Sequence, residues 1–251
     1  MNLKIICFTG GTLGHIMPCV TLIKEMKKRY IESYIVVVAT SKDIGYEALK
    51  IEEIDKIYFI ESSKASFNIK DQLNNLKAYS KIKQIIKEED VKIAYGFGGY
   101  ISGIGIFAAR NLKLKTYLHE QNSVMGKANK ILSKYVDKVF LSYPVKKMRK
   151  NYIIVGSPVY IQAQQVKKNI YKLRNKILFT SGTLGSKEIN QLAVNLILGK
   201  HLTNYDVTII TGKKYYNDVC KILKNTSTKI YEFSNCLIEQ IASVVPMTGI
   251  I

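Results

Sequence analysis

The sequence has 251 residues, 47% of them apolar, and a formal net charge of +19. This length suffices for one large hydrophobic core or two small ones. The basic residues are almost all Lys, spread along the chain without an aromatic-interleaved basic stripe, which argues against a nucleic-acid-binding protein. Solvated Lys faces account for most of this charge, and attraction to an anionic partner or membrane surface is the alternative.

The cysteines and the apolar segments bear on the compartment. None of the four cysteines forms a C-x-x-C pair, which favours a reduced, cytosolic setting. The longest near-apolar stretch, residues 101–109, is far shorter than the roughly 18 residues of a membrane span. We therefore expect a soluble protein that is still able to lie on a membrane surface.

Short β-rich runs alternate with helix-like stretches throughout the chain. The predicted strands, in order, are 3–8, 34–39, 56–60, 92–95, 115–118, 138–141, 152–155, 176–180, 206–211 and 229–233. This alternation, with nearly continuous apolar strands, predicts the α/β class with parallel sheets covered on both faces.

The segment 71–87 has the spacing of an amphipathic helix. Its apolar residues are interpreted as one stripe, with lysines away from it: Leu73, Leu76, Ile82, Ile85 and Ile86. Further along, "GSP" at 156–158 and the polar run "QAQQVKKN" predict a linker. We expect two Rossmann-like domains, 1–160 and 161–251, the second incomplete.

One seven-residue segment occurs twice, as "FTGGTLG" at 8–14 and "FTSGTLG" at 179–185. Each copy follows a predicted strand and precedes a helix-like stretch. Glycines at such a turn let a phosphate approach the backbone, and the following helix N-terminus attracts negative charge. The repeat therefore predicts two βαβ domains, each with an anion site after its first strand.

Two other phosphate-binding motifs do not fit. No G-x-x-x-x-G-K-[ST] run occurs, which excludes a P-loop. A dinucleotide fingerprint fails because Thr9 occupies the place of its first glycine. Ala39 and Thr40 end the second strand where an acidic residue belongs. Nicotinamide binding is therefore not favoured.

His15 directly follows the first glycine loop. A helix N-terminus disfavours additional positive charge, so the imidazole is expected to be neutral and able to accept a proton. A general base is one interpretation, and local capping or packing fits the position equally well.

Two more segments follow predicted strands. "GFGGYISG" at 96–103 has the composition of another anion cradle, with Ser102 near a helix start. "HEQNSVMGKAN" at 119–129 places polar groups at the carboxyl end of a strand, where ligands bind in open α/β sheets. His119 and Glu120 are too few ligands for a metal site, whereas Asn122 and Asn129 suit the recognition of sugar hydroxyls.

Together these segments, with "VGSPV" at 155–159, resemble the MurG family of N-acetylglucosaminyltransferases of peptidoglycan synthesis. The resemblance implies a GT-B fold of two Rossmann-like domains with the active site in the cleft. It implies inverting transfer of GlcNAc from UDP-GlcNAc to the C4 hydroxyl of MurNAc in lipid I, without a cofactor or metal. The implied location is the cytoplasmic face of the membrane, bound peripherally at an anionic surface.

The resemblance also assigns roles to individual residues. It makes His15 the candidate base and places His119 and Glu120 in the catalytic cleft motif. The implied donor contacts are Thr12, Leu13, Gly14, Asn122, Tyr160, Thr183, Gly185 and Ser234. The implied acceptor contacts are Gly98, Gly99, Tyr100, Ser102 and Asn129.

The sequence departs from the family pattern in three places. Leu13 replaces a common glycine, and Tyr160 stands where an Arg is usual. The family's next motif, a Gly-Ala-Leu-Thr-x-x-Glu stretch that holds ribose and sugar, does not occur before Ile251. We therefore expect a C-terminally truncated chain that binds UDP-GlcNAc weakly. A catalytically impaired remnant and another GT-B nucleotide-sugar transferase are the alternative interpretations.

Overall fold

The computed structural model describes residues 3–40, 46–64, 68–158, 175–182 and 184–234. It forms two compact units, Met1–Ile161 and Gln162–Ile251. The predicted linker run after residue 158, together with Tyr160 and Thr183, lies outside the described residues.

The first unit is built on a seven-stranded parallel sheet. Its strands are β1 (Lys4–Phe8), β2 (Tyr34–Ala39), β3 (Lys56–Phe59), β4 (Ile93–Gly96), β5 (Lys115–Glu120), β6 (Lys138–Leu141) and β7 (Tyr152–Ile154). Their order across the sheet is β3-β2-β1-β4-β5-β6-β7, and every neighbouring pair is parallel. This is a doubly wound arrangement, in which the direction of winding reverses between β1 and β4.

Helices cover both faces of this sheet. They are α1 (Leu13–Arg29), α2 (Ile69–Glu88), α3 (Tyr100–Asn111) and α4 (Lys127–Leu132), with a 3₁₀ turn at Tyr46–Leu49. Successive strand residues enter different cores: Ile5 and Cys7 pack with α1, whereas Ile6 and Phe8 pack with α2 and α3. Burial on both faces is the reason that these strands are apolar throughout.

The second unit contains a three-stranded parallel sheet, ordered β10-β9-β8. Its described elements are β8 (Lys176–Thr180), α5 (Lys187–Leu198), β9 (Asp206–Ile210), α6 (Tyr216–Ile222) and β10 (Lys229–Tyr231). Each of the ten predicted strands is present, with ends within two residues of the prediction. The predicted α/β class with parallel sheets is confirmed.

The prediction of one apolar stripe on α2 is wrong. Ile82, Ile85 and Ile86 are buried, whereas Leu73 and Leu76 are 54% and 65% exposed. At about 100° per residue, the two sets lie on roughly opposite sides of the helix. The apolar residues recur every three or four positions, which is typical of a single stripe. Their angular positions nevertheless fall into two groups, so the helix has two separate apolar faces.

Candidate active site

The site begins where the winding of the first sheet reverses. β1 and β4 are neighbours, and the helices that follow them pack on opposite faces: α1 through Ile16 and Ile23, α3 through Ile101 and Ile106. The loops that follow β1 and β4 therefore lead away to opposite faces of the sheet, which leaves a crevice at the carboxyl ends of these two strands. In open α/β sheets this switch point is the crevice in which ligands bind.

Glycines let the two loops of this crevice touch. Gly99 has φ +81°, and a Cβ there would lie 2.6 Å from the carbonyl oxygen of Gly10. Gly98 has φ +108°, and its Cβ would lie 2.6 Å from Cε1 of His15. A side chain at either position would thus meet both a strained backbone and a neighbouring group. The loop predicted to face the acceptor packs directly on the first glycine loop and on His15.

The helices that start at these loops have uncapped N-termini. Neither Thr12 before α1 nor Gly99 before α3 supplies a side-chain cap hydrogen bond, and neither first turn contains an acidic residue. The amide groups and the positive end of each helix dipole are left without an internal negative partner there. Such an end is well suited to bind a phosphate.

His15 is half-buried beside the crevice and contacts Gln121. Its Nδ1 lies 3.3 Å from Oε1 of Gln121, whose Nε2 donates to the carbonyl oxygen of Phe97 at 2.6 Å. Because Phe97 follows β4 and Gln121 follows β5, this chain of contacts connects three neighbouring strands through their carboxyl-end loops. The imidazole is thereby held at the opening of the switch point.

Consecutive residues of β5 point to opposite faces of the sheet. His119 lies on the side of α1, where its ring contacts Phe97, and Glu120 lies on the other side with Asn129. Side chains alternate along a strand, so two neighbours in sequence do not act on the same ligand from one face. His119 and Glu120, both placed in the catalytic cleft motif by the resemblance, therefore lie on different faces of the sheet.

Glu120 organises the loop that follows β5. The carboxylate is 1% exposed. Its Oε1 accepts from the backbone and side-chain amides of Asn122 at 3.1 and 3.2 Å. Its Oε2 accepts from the Gly126 N–H and from Nδ2 of Asn129, both at 3.0 Å. A buried carboxylate that accepts four hydrogen bonds fixes the loop conformation, and its catalytic role stays a prediction.

His119 forms one wall of a cavity of about 590 Å³ within the first unit. It is 3% exposed, with Nε2 lying 3.3 Å from Oγ of Ser142. Burial lowers the pKa of His119 to about 4, although the Gly156 backbone and Glu120 act in the opposite direction. The imidazole is therefore neutral at physiological pH. The cavity has mainly apolar walls, which include Leu22, Tyr95, Phe97, Phe140, Tyr143 and Val155.

The remaining residues of the predicted acceptor set differ in accessibility. Ser102 is buried, and its Oγ accepts from the Gly98 N–H at 3.2 Å, so it shapes the glycine loop. Asn129 is also buried, at the loop after β5. Tyr100 is exposed at the start of α3. Contact of Ser102 and Asn129 with an acceptor is untested by this geometry and stays a prediction.

The second copy of the repeated loop differs from the first. Gly11 and Gly182 both have positive φ, at +91° and +72°, so the glycine turn is shared. However, α1 begins inside the first motif, whereas α5 begins at Lys187, beyond the second one. Ser186 caps α5 by accepting from the Ile189 N–H at 3.3 Å. Both copies therefore precede a helix, as predicted, but only the first motif contains the start of its helix.

The two copies differ at one position, where the first has Gly10 and the second has Ser181. The Ser181 side chain makes contacts that a glycine cannot make. Its Oγ donates to the carbonyl oxygens of Thr211 and Ile210, at 2.7 and 3.1 Å, which joins the loops after β8 and β9. Gly185 packs closely on the same neighbouring loop, since a Cβ there would meet Tyr215 at 2.7 Å. Ser234, another predicted donor contact of the second unit, is half-buried after β10.

Sequence reasoning missed Gln121 and Ser142. Gln121 lies inside the "HEQN" run, in which roles were predicted for His119, Glu120 and Asn122 only. The available signal was its place as the first residue after β5, at the carboxyl edge of the sheet. In the described ranges, no three His, Cys, Asp or Glu side chains gather as metal ligands do.

The doubly wound sheet and its glycine-lined switch point define an α/β protein of the Rossmann-like class. The sequence matches the glycosyltransferase family 28 N-terminal domain over residues 5–141. That range is more than half of the chain and contains the crevice. The chain therefore belongs to glycosyltransferase family 28.

Curated relatives agree with this assignment. Three of these relatives, described below, carry the name UDP-N-acetylglucosamine–N-acetylmuramyl-(pentapeptide) pyrophosphoryl-undecaprenol N-acetylglucosamine transferase. The chain is 31% identical to the Pediococcus pentosaceus protein, over 84% of this chain and 62% of that protein. It is 32% identical to the Bacillus pumilus protein, over 88% and 65%. It is 30% identical to the Lactobacillus gasseri protein, over 98% and 74%. The chain thus spans less than two thirds of the first two relatives.

A solved structure has the same fold. The crystal structure of Acinetobacter baumannii MurG superposes with a TM-score of 0.67 at 22% identity, covering 97% of this chain and 71% of that one. The predicted GT-B type of fold is confirmed, and the chain is MurG-like.

Proposed function

We propose that the protein transfers GlcNAc from UDP-GlcNAc to the C4 hydroxyl of MurNAc in lipid I, with inversion, giving lipid II and UDP. The observation that carries this proposal is His15, held by Gln121 between two glycine loops at the switch point. Family membership and the names of the relatives support the choice of donor and acceptor.

In the proposed reaction, His15 acts as the general base. Its imidazole takes the proton of the C4 hydroxyl while the hydroxyl oxygen forms a bond to C1 of GlcNAc. The bond between C1 and the diphosphate oxygen breaks, and UDP leaves with the electron pair. A base on the acceptor side directs the oxygen to the face opposite the leaving group, which accounts for the inversion.

The two uncapped helix N-termini are proposed to bind the phosphates. The start of α3, with Gly98 and Gly99, is assigned to the acceptor pyrophosphate. The first loop, with Thr12, Leu13 and Gly14, is assigned to the donor. Backbone amides at such ends stabilise phosphate charge without a metal ion. Their lack of acidic first-turn residues supports this assignment, because a carboxylate there would compete with the phosphate.

The second unit is proposed to supply further donor contacts. Gly185 lies in the loop after β8, and Ser234 follows β10, both at carboxyl ends of strands. Ligands of parallel sheets bind at these ends. Asn122 is exposed on the loop after β5 and is proposed as a further donor contact. Tyr160 and Thr183 keep their predicted donor roles as proposals.

A lipid-linked acceptor also requires contact with a membrane surface. None of the helices in the described ranges is long and apolar enough to cross a bilayer. We propose that the second, exposed apolar face of α2 docks on the anionic cytoplasmic surface. Ile69, Leu73 and Leu76 form this face, and Lys70, Lys77 and Lys81 lie along one flank of it. Apolar residues beside lysines are typical of interfacial helices.

Conversion of lipid I tests the transferase proposal directly. The protein, expressed as its gene encodes it, should release UDP from UDP-GlcNAc only in the presence of lipid I, and lipid II should appear in equal amount. His15→Ala should lower the turnover by about 10²–10⁴-fold, the usual contribution of a general base. His201→Ala, an exposed histidine of the second unit, is the matched control.

Three outcomes distinguish the alternatives. UDP release with a different sugar nucleotide would indicate another GT-B transferase. Acceptor binding without turnover would indicate an impaired relative of the enzyme. Near-normal turnover in His15→Ala would remove the base assignment while leaving the reaction itself in place.

A further inference from the structure

The geometry points to Gln121 as a positioning residue that holds His15 in its Nδ1–H tautomer, with Nε2 left as the proton acceptor. The catalytic meaning of this inference rests on the proposed function, because only then is His15 a base. The tautomer itself is a property of the first unit and is measurable without turnover.

The direction of the Gln121 amide follows from its contact with Phe97. The amide nitrogen lies 2.6 Å from the Phe97 carbonyl oxygen, which only accepts hydrogen bonds. The flipped amide would instead place two oxygens at that distance, which is electrostatically unfavourable. The –NH₂ group therefore faces Phe97, and Oε1 faces His15.

The direction of the amide in turn fixes the proton on the imidazole. Oε1 of Gln121 only accepts, and it lies 3.3 Å from Nδ1 of His15. A hydrogen bond between them requires the proton to be on Nδ1. In a neutral ring Nε2 then carries the lone pair. The base of the proposed reaction is therefore Nε2.

Phe97, whose carbonyl oxygen accepts the hydrogen bond from Gln121, is fixed in the sheet. Phe97 is fully buried, and its own N–H donates to the Phe8 carbonyl oxygen at 2.9 Å, which fixes the residue to β1. The ring of His15 is closed on one edge by Gly98, where there is no room for a Cβ. The imidazole is thus held by a Gln121 amide that is itself fixed to the sheet through Phe97.

A neutral amide differs from a carboxylate in this position. An acidic partner would also hold the proton on Nδ1, but it would favour the imidazolium, which is no base. The carboxylate next in sequence, Glu120, points to the other side of the sheet and accepts from Asn122, Gly126 and Asn129. Gln121 therefore selects the tautomer without adding a negative charge beside His15.

Nitrogen NMR of the imidazoles tests the inference. The chain contains three histidines, so ¹⁵N-histidine labelling gives a spectrum that substitutions assign completely. At about pH 8.5, where histidine side chains are ordinarily neutral, Nδ1 of His15 should have a protonated, pyrrole-type shift and Nε2 a pyridine-type shift. The opposite pattern at His15 would overturn the inference.

Substitution of the amide tests its cause. In Gln121→Met the side chain keeps its length but loses both hydrogen bonds, so the ratio of Nδ1–H to Nε2–H should fall about three- to tenfold. Gln121→Glu retains an accepting oxygen and should retain the Nδ1–H tautomer. Gln84→Met, an exposed position on α2, is the matched control. An unchanged ratio in Gln121→Met would overturn the role of Gln121.

Folding and catalysis are separated by two further readouts. The resonances of His119, which is buried in the same unit as Gln121, and the circular dichroism spectrum report whether Gln121→Met is folded. In a preparation that turns over, Gln121→Met should lower kcat about three- to tenfold with KM nearly unchanged, since the tautomer does not contribute to substrate binding. A shifted tautomer with unchanged kcat would contradict the catalytic part of the inference and leave the tautomer assignment standing.

Discussion

Gly99 lies so close to Gly10 that its missing Cβ would stand 2.6 Å from the Gly10 carbonyl oxygen. This contact joins the loop after β4 to the loop after β1, and it brings Gly98 onto the ring of His15. The crevice is thus maintained by backbone packing at Gly99 and by the contact of Gly98 with the His15 ring. Its shape should be sensitive to single methyl groups.

Gly99→Ala should destabilise the first unit by about 2–4 kcal/mol, because alanine is strained at positive φ and its Cβ would clash with the Gly10 carbonyl oxygen. Gly103→Ala is the matched control. Gly103 lies inside α3, where a Cβ would be 3.5 Å from that of Ala128, an ordinary contact. That change should stabilise the protein by about 0.5–1 kcal/mol. Equal unfolding midpoints in urea for both variants would contradict the packing argument.

Most of the architecture was predictable because it depends on local patterns. Apolar runs flanked by polar stretches predicted all ten strands, and the glycines at 10–11 and 98–99 indicated two anion-binding loops that follow strands. Parallel strands buried on both faces leave a strong signal in sequence. The position of the crevice depends on the strand order, which makes β1 and β4 neighbours and which the sequence did not predict.

The parts that were not predictable depend on direction or on distant partners. Glu120 and His119 are adjacent in sequence but lie on opposite faces, because β5 extends to Glu120, two residues beyond the predicted strand end. The role of Gln121 depends on the Phe97 carbonyl, 24 positions away, and no local pattern indicates it. The second glycine loop resembles the first in sequence. However, Ser181 bonds to the loop after β9 and Ser186 caps α5, so the helix begins after the motif and not within it.

Membrane docking by α2 should depend on both its apolar and its basic residues. Replacing Leu73 and Leu76 by Gln should reduce binding to vesicles containing anionic lipid at least about tenfold, since both side chains would lose apolar contact with the bilayer. Binding of the unmodified protein should also weaken as salt rises, because lysines contribute through screened attraction. Co-sedimentation measures both effects.

The matched control for the docking face is Leu198→Gln, an equally exposed leucine at the end of α5 in the second unit. Its vesicle binding should equal that of the unmodified protein. Binding that responds neither to anionic lipid, nor to salt, nor to the double substitution would show that α2 is simply a packed helix.

Buried His119 should make the first unit less stable in mild acid. Burial is the main cause of its lowered pKa of about 4, compared with about 6.5 in the unfolded chain. Between these values the unfolded state binds more protons than the folded state. Stability is therefore complete above about pH 6.5 and falls as the pH drops toward 4. The expected loss between pH 7 and pH 5 is about 2 kcal/mol.

Urea unfolding at pH 7, 6 and 5 measures this loss. The same series on His119→Gln, which keeps a polar group beside Ser142, should show a markedly smaller dependence on pH. His201→Gln, at an exposed site, should keep the full dependence. Identical pH dependence in all three proteins would place the titrating group elsewhere.

Glu120 should behave as the structural anchor of the loop after β5. In Glu120→Gln one carboxylate oxygen becomes an –NH₂ group, which would face the amide donors of Asn122 or those of Gly126 and Asn129. Two accepted hydrogen bonds would be replaced by donors facing donors in a buried site. The free energy of unfolding should therefore fall by about 2–4 kcal/mol, measured by urea denaturation. Glu88→Gln, an exposed change on α2, should alter it by less than about 0.5 kcal/mol. A purely catalytic Glu120 would give the opposite result, with stability unchanged and turnover lost, because removal of a reacting carboxylate leaves the folded loop intact.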